Sequence, residues 1–383
     1  MSNSNNSKEI YLDNNATTKP LPEVRDEVCK VLGEEFGNPS SIHSTGERAR
    51  KHLSNARLHL ADLLGCSPEN IIFTSSGTEA NNLVLYSCTI GSKEKSRIVT
   101  SSIEHSSINK MCSYLGIHGV EVEFLGVDQS GFVNPDDLEK ALEKETDLVS
   151  IQWVNNETGV IQDIESISQI CKQKGVPFHT DAAQAVGKLE FKITGMDIDY
   201  LALAAHKFHA PQGVGAVYTK DKLTIHPVLF GGFQEEGFRP GTENLPGIAG
   251  MGKAAEIRKS NLKQTVRHMC DVRTRFENMI LERIPEARVN GSTEKRICNT
   301  TNIMFGSVDG RKLTLMLDEE GIRCSQSSAC TNFETAPSFV LKAMGLTDEE
   351  AYASIRFSFS EENTTEDIEK AVEIIVRNYE KLK

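Results

Sequence analysis

No apolar run in the 383-residue chain approaches the ~20 residues a helix needs to cross a bilayer, so no membrane partner is expected. The opening, MSNSNNSKEI, has neither the apolar core of an export signal nor the arginine-rich amphipathy of a transit segment. A cytoplasmic location is the expectation. Positive charge is in deficit: 42 Lys and Arg stand against 54 Asp and Glu, for a net charge of −12. Nor is there a Lys/Arg cluster with interleaved aromatics. Nucleic acid, which needs concentrated positive charge against its phosphates, is not expected as a partner. Cysteine is plentiful at nine, yet no two are closer than six positions, which excludes a CxxC zinc or redox pair. An odd number without an export signal argues against a disulfide framework, and most are read as small buried hydrophobes. No metal site is expected. Repeats and low-complexity tracts are absent, as is the GxxxxGK[ST] phosphate loop. The GxG at Gly213-Val214-Gly215 leads into a strand pattern rather than a helix.

What remains is a chain of 38% hydrophobic and 25% charged residues, enough of each for a buried core and a solvated surface. Its length fits two domains, or one large α/β unit with an appendage. From Ser44 onward helical and strand patterns alternate. A capping box at Ser44-Thr45-Gly46-Glu47 opens a helix whose apolar face is Ala49, Leu53, Ala56, Leu60 and Leu63, closed by Gly65 and Pro68. Strands are expected at 71–74, 97–100, 121–125, 148–153, 178–180, 200–204 and 215–218. Helices between them begin at Gly77, at 106, after Asn134 and before Gly175. This rhythm predicts a mostly parallel sheet covered by helices. After residue 256 it changes to a long charged helix (256–283), strands at 301–305, 322–324 and 354–359, a helix near 311–320, and a closing helix after Thr364. That is the pattern of a second, smaller α+β domain.

Polar groups recur where the expected strands end: Gly77-Thr78-Glu79, His105, Asn155-Asn156, Asp181 and His206-Lys207. In open α/β sheets ligands bind beyond those ends. Singly, each has an ordinary explanation: an N-cap for the Asp, a solvated charge for the Lys, a structural role for the His. Their repetition at equivalent positions favours a site. The set suits pyridoxal phosphate, which needs a lysine for a Schiff base, an acid for its ring nitrogen and an anion cradle for its phosphate. Lys207, Asp181 and the Ser76-Gly77-Thr78 helix start supply these in turn.

The chain resembles the cysteine desulfurases, pyridoxal phosphate enzymes that feed iron–sulfur cluster assembly. The likeness runs from Tyr11-Leu12-Asp13-Asn14-Asn15-Ala16-Thr17-Thr18 to Ser354-Ile355-Arg356-Phe357-Ser358. Between them lie Phe36-Gly37-Asn38-Pro39, Val154-Asn155-Asn156-Glu157-Thr158-Gly159, His179-Thr180-Asp181-Ala182-Ala183-Gln184, His206-Lys207 and Arg239-Pro240-Gly241-Thr242. Ser327-Ser328-Ala329-Cys330-Thr331 is similar to the catalytic loop of the longer-loop group, typical of nitrogen fixation and housekeeping cluster assembly. The resemblance implies an α/β fold-type I enzyme. Its large cofactor domain, 15–255, holds a mostly parallel seven-stranded sheet, and a small α+β domain, 1–14 and 256–383, carries the cysteine loop.

It also implies roles. Lys207 forms the Schiff base and shuttles protons, His105 stacks on the ring, Asp181 holds the ring nitrogen and Gln184 the ring hydroxyl. Asn156 contacts cofactor and substrate. Gly77, Thr78 and His206 hold the phosphate at a cup that includes Ala204 and Ala205, and Thr242 reaches it from the partner subunit of a homodimer. Arg356, with Asn38, clamps the carboxylate of L-cysteine. Cys330 attacks the substrate sulfur, with His105 a candidate proton acceptor, and passes it to an iron–sulfur scaffold or other acceptor protein, joining a metal cluster there only transiently.

Three positions depart from the family pattern. Ala204 replaces a serine that contributes to phosphate binding, the loop lacks the glycine of Ser-Ser-Gly-Ser-Ala-Cys, and Phe233 stands where glycine is usual. Rival readings are a selenocysteine lyase, an aminotransferase of the same fold, or a non-catalytic scaffold. The last leaves Lys207, Asp181 and Arg356 unexplained, and transamination needs no loop thiol.

Overall fold

The computed structural model describes residues 9–90, 96–326 and 336–383. Its strands are β1 (Ile10–Tyr11), β2 (Ile71–Thr74), β3 (Arg97–Ser101), β4 (Glu121–Leu125), β5 (Leu148–Ser150), β6 (Phe178–Asp181), β7 (Tyr200–Ala204), β8 (Gly215–Thr219), β9 (Ala287–Val289), β10 (Thr300–Phe305), β11 (Ile322–Arg323) and β12 (Ser354–Ser358). The helices are α1 (Pro22–Gly33), α2 (Ser44–Leu64), α3 (Gly77–Thr89), α4 (Ser106–Ile117), α5 (Pro135–Ala141), α6 (Ile164–Lys174), α7 (Leu245–Arg283), α8 (Gly310–Glu319), α9 (Phe339–Ala343), α10 (Asp348–Tyr352) and α11 (Thr365–Leu382).

Seven strands form the main sheet in the order β2-β8-β7-β6-β5-β3-β4. Only β8 runs against its neighbours. The inner strands are buried along their whole length, and β7 accordingly reads as an unbroken apolar run. The edge strand β4 alternates instead, and its Glu121 and Glu123 pair with Arg97 on β3. A second, antiparallel sheet has the order β12-β10-β9, and β1 pairs in parallel with β11. Among the described residues no helix is long and apolar enough to cross a membrane.

Two cores result. One packs the main sheet against α2, α5, α6 and the first half of α7, through residues such as Leu60, Ile167, Leu201 and Met251. The other gathers β10, β12, α8 and α11 around Phe276 and Ile280 of the second half of α7. The helix α7 thus serves both.

Three local expectations shift. The N-cap of α2 is His43 rather than Ser44, its Nδ1 accepting from the Gly46 N–H at 3.3 Å. The long helix begins at Leu245, not 256, capped by Asn244 with Pro246 in its first turn. Gly247, Gly250 and Gly252 lower its intrinsic propensity, and packing restores it. The strand expected over 148–153 stops at Ser150, because the Gln152 N–H turns to the Glu104 carboxyl at 2.8 Å.

Candidate active site

The carboxyl ends of β2, β3, β5, β6 and β7 meet at a cavity of about 190 Å³. A wider groove, of about 1060 Å³, lies between Tyr11, Pro20 and Asn363, away from these strand ends. At the first strand end, Ser76 caps α3 by accepting from the Glu79 N–H at 3.1 Å. The N–H groups of Gly77 and Thr78, the first of the helix, have no acceptor within it, so they and the helix dipole favour an anion there. Ala204, at the end of β7, closes that side. A Cβ added at Gly77 would lie 3.2 Å from the Ala204 Cβ.

Lys207 follows one short turn after β7. Its Nζ donates to the carbonyls of Asn15 at 2.6 Å and Ala16 at 2.9 Å. His206 beside it also lines the cavity, with Nδ1 3.1 Å from the Thr17 hydroxyl. Burial, reinforced by the charges of Lys207 and Lys188, pushes its pKa down to about 3, so the ring is neutral. Asp181, the last residue of β6, accepts from the Asn81 side chain at 2.8 Å and the Ala183 N–H at 3.0 Å. The other Asn81 Nδ2 hydrogen reaches the Ser107 hydroxyl at 2.8 Å, and that hydroxyl lies 2.8 Å from His105 Nδ1. The Ser107 N–H also donates to Nδ1, at 3.2 Å, so in a neutral His105 the proton sits on Nε2. One chain of hydrogen bonds therefore joins the acid on β6 to the imidazole at the start of α4.

Arg356 enters from β12 and is only 1% exposed. Its Nη1 donates to the Asn156 carbonyl at 3.0 Å and its Nη2 pairs with Asp13 at 2.6 Å. Its Nε is buried with no partner among the described residues, and Arg356 lines the cavity. Asn156 and Gln152 line the same wall and are joined at 3.2 Å. Gln184 lies opposite, its Nε2 on the Asn15 carbonyl at 3.1 Å.

Of the residues expected from the sequence, Gly77, Thr78, His105, Asn156, Asp181, Gln184, Ala204, His206, Lys207 and Arg356 all line this cavity. Ala205 is buried behind it, its N–H bonded to Val214. Asn38 and Thr242 are exposed and outside it, the Asn38 side chain accepting from the Ser40 N–H at 2.9 Å. Cys330 lies outside the described residues. None of the eight described cysteines lines the cavity. Cys324 packs against the second core, and burial pushes its thiol up to about 12.

Residue type alone does not single out Asn81, Ser107, Gln152 or the Asn15 and Ala16 carbonyls. The last two sit inside a family-like motif, but a backbone carbonyl leaves no mark in residue type. Asn81 occupies the second turn of a helix, where an asparagine is unremarkable until the fold sets it over Asp181.

These groups fit pyridoxal phosphate. An amine, a buried carboxylate held by two N–H donors, and a helix start narrowed by Gly77 and Ala204 surround one space that Arg356 also lines.

A family model described as aminotransferase class-V matches residues 10–371. A cysteine desulfurase of Trichormus azollae is 41% identical over 374 residues, covering 98% of this chain and 94% of that protein. The cysteine desulfurase IscS of Dictyoglomus turgidum is 40% identical, covering 98% of this chain and 96% of its own. Among solved structures, a NifS-like protein superposes with a TM-score of 0.91 at 35% identity, covering 98% of this chain and all of that one. SspA in complex with cysteine superposes with a TM-score of 0.80 at 33% identity, over 92% of this chain and 99% of that one.

Proposed function

Because this chain belongs to the class-V aminotransferase family, as one of its pyridoxal phosphate-dependent cysteine desulfurases, we propose that it converts L-cysteine to L-alanine and loads the sulfur onto Cys330 as a persulfide for iron–sulfur cluster assembly. The observation that carries this reading is the convergence of Lys207, Asp181, the α3 start and Arg356 on one cavity. When bound, pyridoxal phosphate supplies an electron sink that acidifies the α-carbon of the substrate.

The phosphate would be held by the Gly77 and Thr78 N–H groups with His206, the ring nitrogen by Asp181, the ring oxygen by Gln184 and the amine end by Lys207. Asp181 stays aimed because Asn81 and the Ala183 N–H hold both its oxygens. Arg356 takes the substrate carboxylate through Nε and the nitrogen it now shares with Asp13, so substrate competes with that aspartate. Lys207 carries the α-proton at Nζ, and the Asn15 and Ala16 carbonyls hold it in reach. His105 donates at Nε2, because Nδ1 is taken by Ser107. It orients the sulfur rather than deprotonating it.

The Cys330 thiolate attacks that sulfur. An S–S bond forms, the Cβ–S bond breaks, and its electron pair leaves with the carbon, which a proton completes as the methyl group of alanine. That none of the described cysteines lines the cavity supports this role for Cys330. Phe230 and Phe233, 84% and 82% exposed beside the Thr242 segment, support a second copy of the chain covering them and bringing its Thr242 to the phosphate. Asn38 would assist at the carboxylate through its Nδ2, since its Oδ1 accepts from the Ser40 N–H.

The test is incubation with L-cysteine and a reductant, scoring sulfide and alanine together. Equal yields are expected from the wild type and from Cys324→Ser. Cys330→Ser should retain cofactor but form neither product, and alkylation should trap a persulfide only on the peptide bearing Cys330. A label on Cys324 would overturn the assignment.

A further inference from the structure

Lys188 has no part in the chemistry above, yet it is 4% exposed and sits directly behind the cavity. Its Nζ donates to Gln184 Oε1 at 2.5 Å. Gln184 Nε2 donates in turn to the Asn15 carbonyl at 3.1 Å, and the same carbonyl accepts from Lys207 Nζ at 2.6 Å. The two lysines are thus joined through one glutamine and one backbone oxygen. Burying an amine is costly, and nearby carboxylates usually offset it. Here the charged neighbours are Lys207, Arg258 and Arg356, which add to burial in lowering its pKa to about 7, and only the Cys298 thiol opposes them. Among the described residues no carboxylate pairs with it, so no ion pair seen there explains why a lysine is retained.

The contact with Gln184 does. A glutamine amide can be turned over with little change of shape, exchanging a donor for an acceptor. An amine in either protonation state still offers hydrogens to Oε1. With Oε1 held toward Lys188, Nε2 must face Asn15 and the cavity, where its second hydrogen has no partner among the described residues. We propose that Lys188 is a positioning residue that locks the Gln184 amide with Nε2 toward the cavity, so that a donor rather than an acceptor meets the ring oxygen of pyridoxal phosphate. The inference rests on the reading of Gln184 as a cofactor ligand. It accounts for a buried lysine that touches neither substrate nor cofactor.

The test is a double-mutant cycle read by pyridoxal phosphate binding to the apo-protein, with thermal unfolding of each apo form as a control for packing. Lys188→Met should bind about two- to tenfold more weakly, the loss of one oriented hydrogen bond. Gln184→Ala should bind at least as weakly, and adding Lys188→Met to it should cause no further loss. Lys188→Gln, which keeps an N–H donor, should recover most of the affinity. Wild-type affinity in Lys188→Met, or a loss of equal size in the Gln184→Ala background, would overturn the proposal while leaving the cofactor role of Gln184 in place. Wild-type affinity in Gln184→Ala itself would remove that role, and the positioning role with it.

Discussion

Arg356 shows how one side chain can be structural and functional at once. Two of its nitrogens tie β12 to the Asn156 loop and to Asp13, and the third is buried without a partner among the described residues. A buried donor without an acceptor costs free energy, and a substrate carboxylate placed against it would remove that cost. Lysine in its place would keep the pairing with Asp13 but lose the planar fork. Arg356→Lys is therefore expected to raise KM for cysteine by about ten- to a hundredfold, the ~1.5–3 kcal/mol of a charge-assisted bond. Cofactor binding and the melting temperature should hold, and steady-state kinetics beside an absorbance titration check both. Ala204 makes the converse case. Its Cβ faces the start of α3, where a hydroxyl could join the phosphate cup. Ala204→Ser should slow cofactor loss on dialysis by up to about tenfold, from the ~0.5–1.5 kcal/mol of one hydrogen bond. An unchanged rate would mean that the helix amides already saturate the phosphate.

Helix α7 is the element on which the two cores depend, and its entry depends on close approach to α2. A Cβ at Gly252 would fall 2.6 Å from the Ala56 Cβ, in the backbone-to-backbone contact of the two helices. Alanine is the better helix former by about 1 kcal/mol, so propensity alone favours Gly252→Ala. Sterics decide otherwise, because neither helix can retreat without opening the first core. The substitution should destabilise the apo-protein by about 1–3 kcal/mol, read as a lower denaturant midpoint. A rise in the midpoint would show that the helices can part. The end of the chain behaves differently. Thr364 and Asp367 form a reciprocal capping box at α11, a purely local device that the residues announce on their own.

Across the whole molecule, burial of ionisable groups makes stability depend on pH. His179, on β6 below Asp181, has Nδ1 2.9 Å from the Ser150 hydroxyl and a buried Nε2 without a partner. Burial moves its pKa from 6.5 to about 4, with Asp181 pulling only weakly the other way. Unfolded, the ring takes a proton near pH 6.5. Folded, it does not until about pH 4. In that window the unfolded state binds the extra proton, so stability falls as pH falls. The apo wild type should lose about 3 kcal/mol more than His179→Asn over this range. Urea unfolding at stepped pH measures it, and parallel profiles for the two proteins would refute the assignment.

Features encoded over short distances are legible in the order of residues alone. Turn residues and apolar periodicity locate the seven strands of the main sheet, and the strand-end positions of Lys207, Asp181 and Gly77 mark the site. Capping and burial patterns act within one turn or one strand, so residue type suffices to reveal them. The strand order β2-β8-β7-β6-β5-β3-β4 has no such local signature, and neither has the early start of α7, which runs against the weak helix propensity of its glycines. Packing in three dimensions sets both. It also sets Asn81 over Asp181 and Ser107, which links that acid to His105. The two Asn81 contacts join residues 26 and 100 positions apart, and the Lys207 contacts use backbone oxygens that carry no residue identity. They exist only because the folded sheet brings its strand ends to one place.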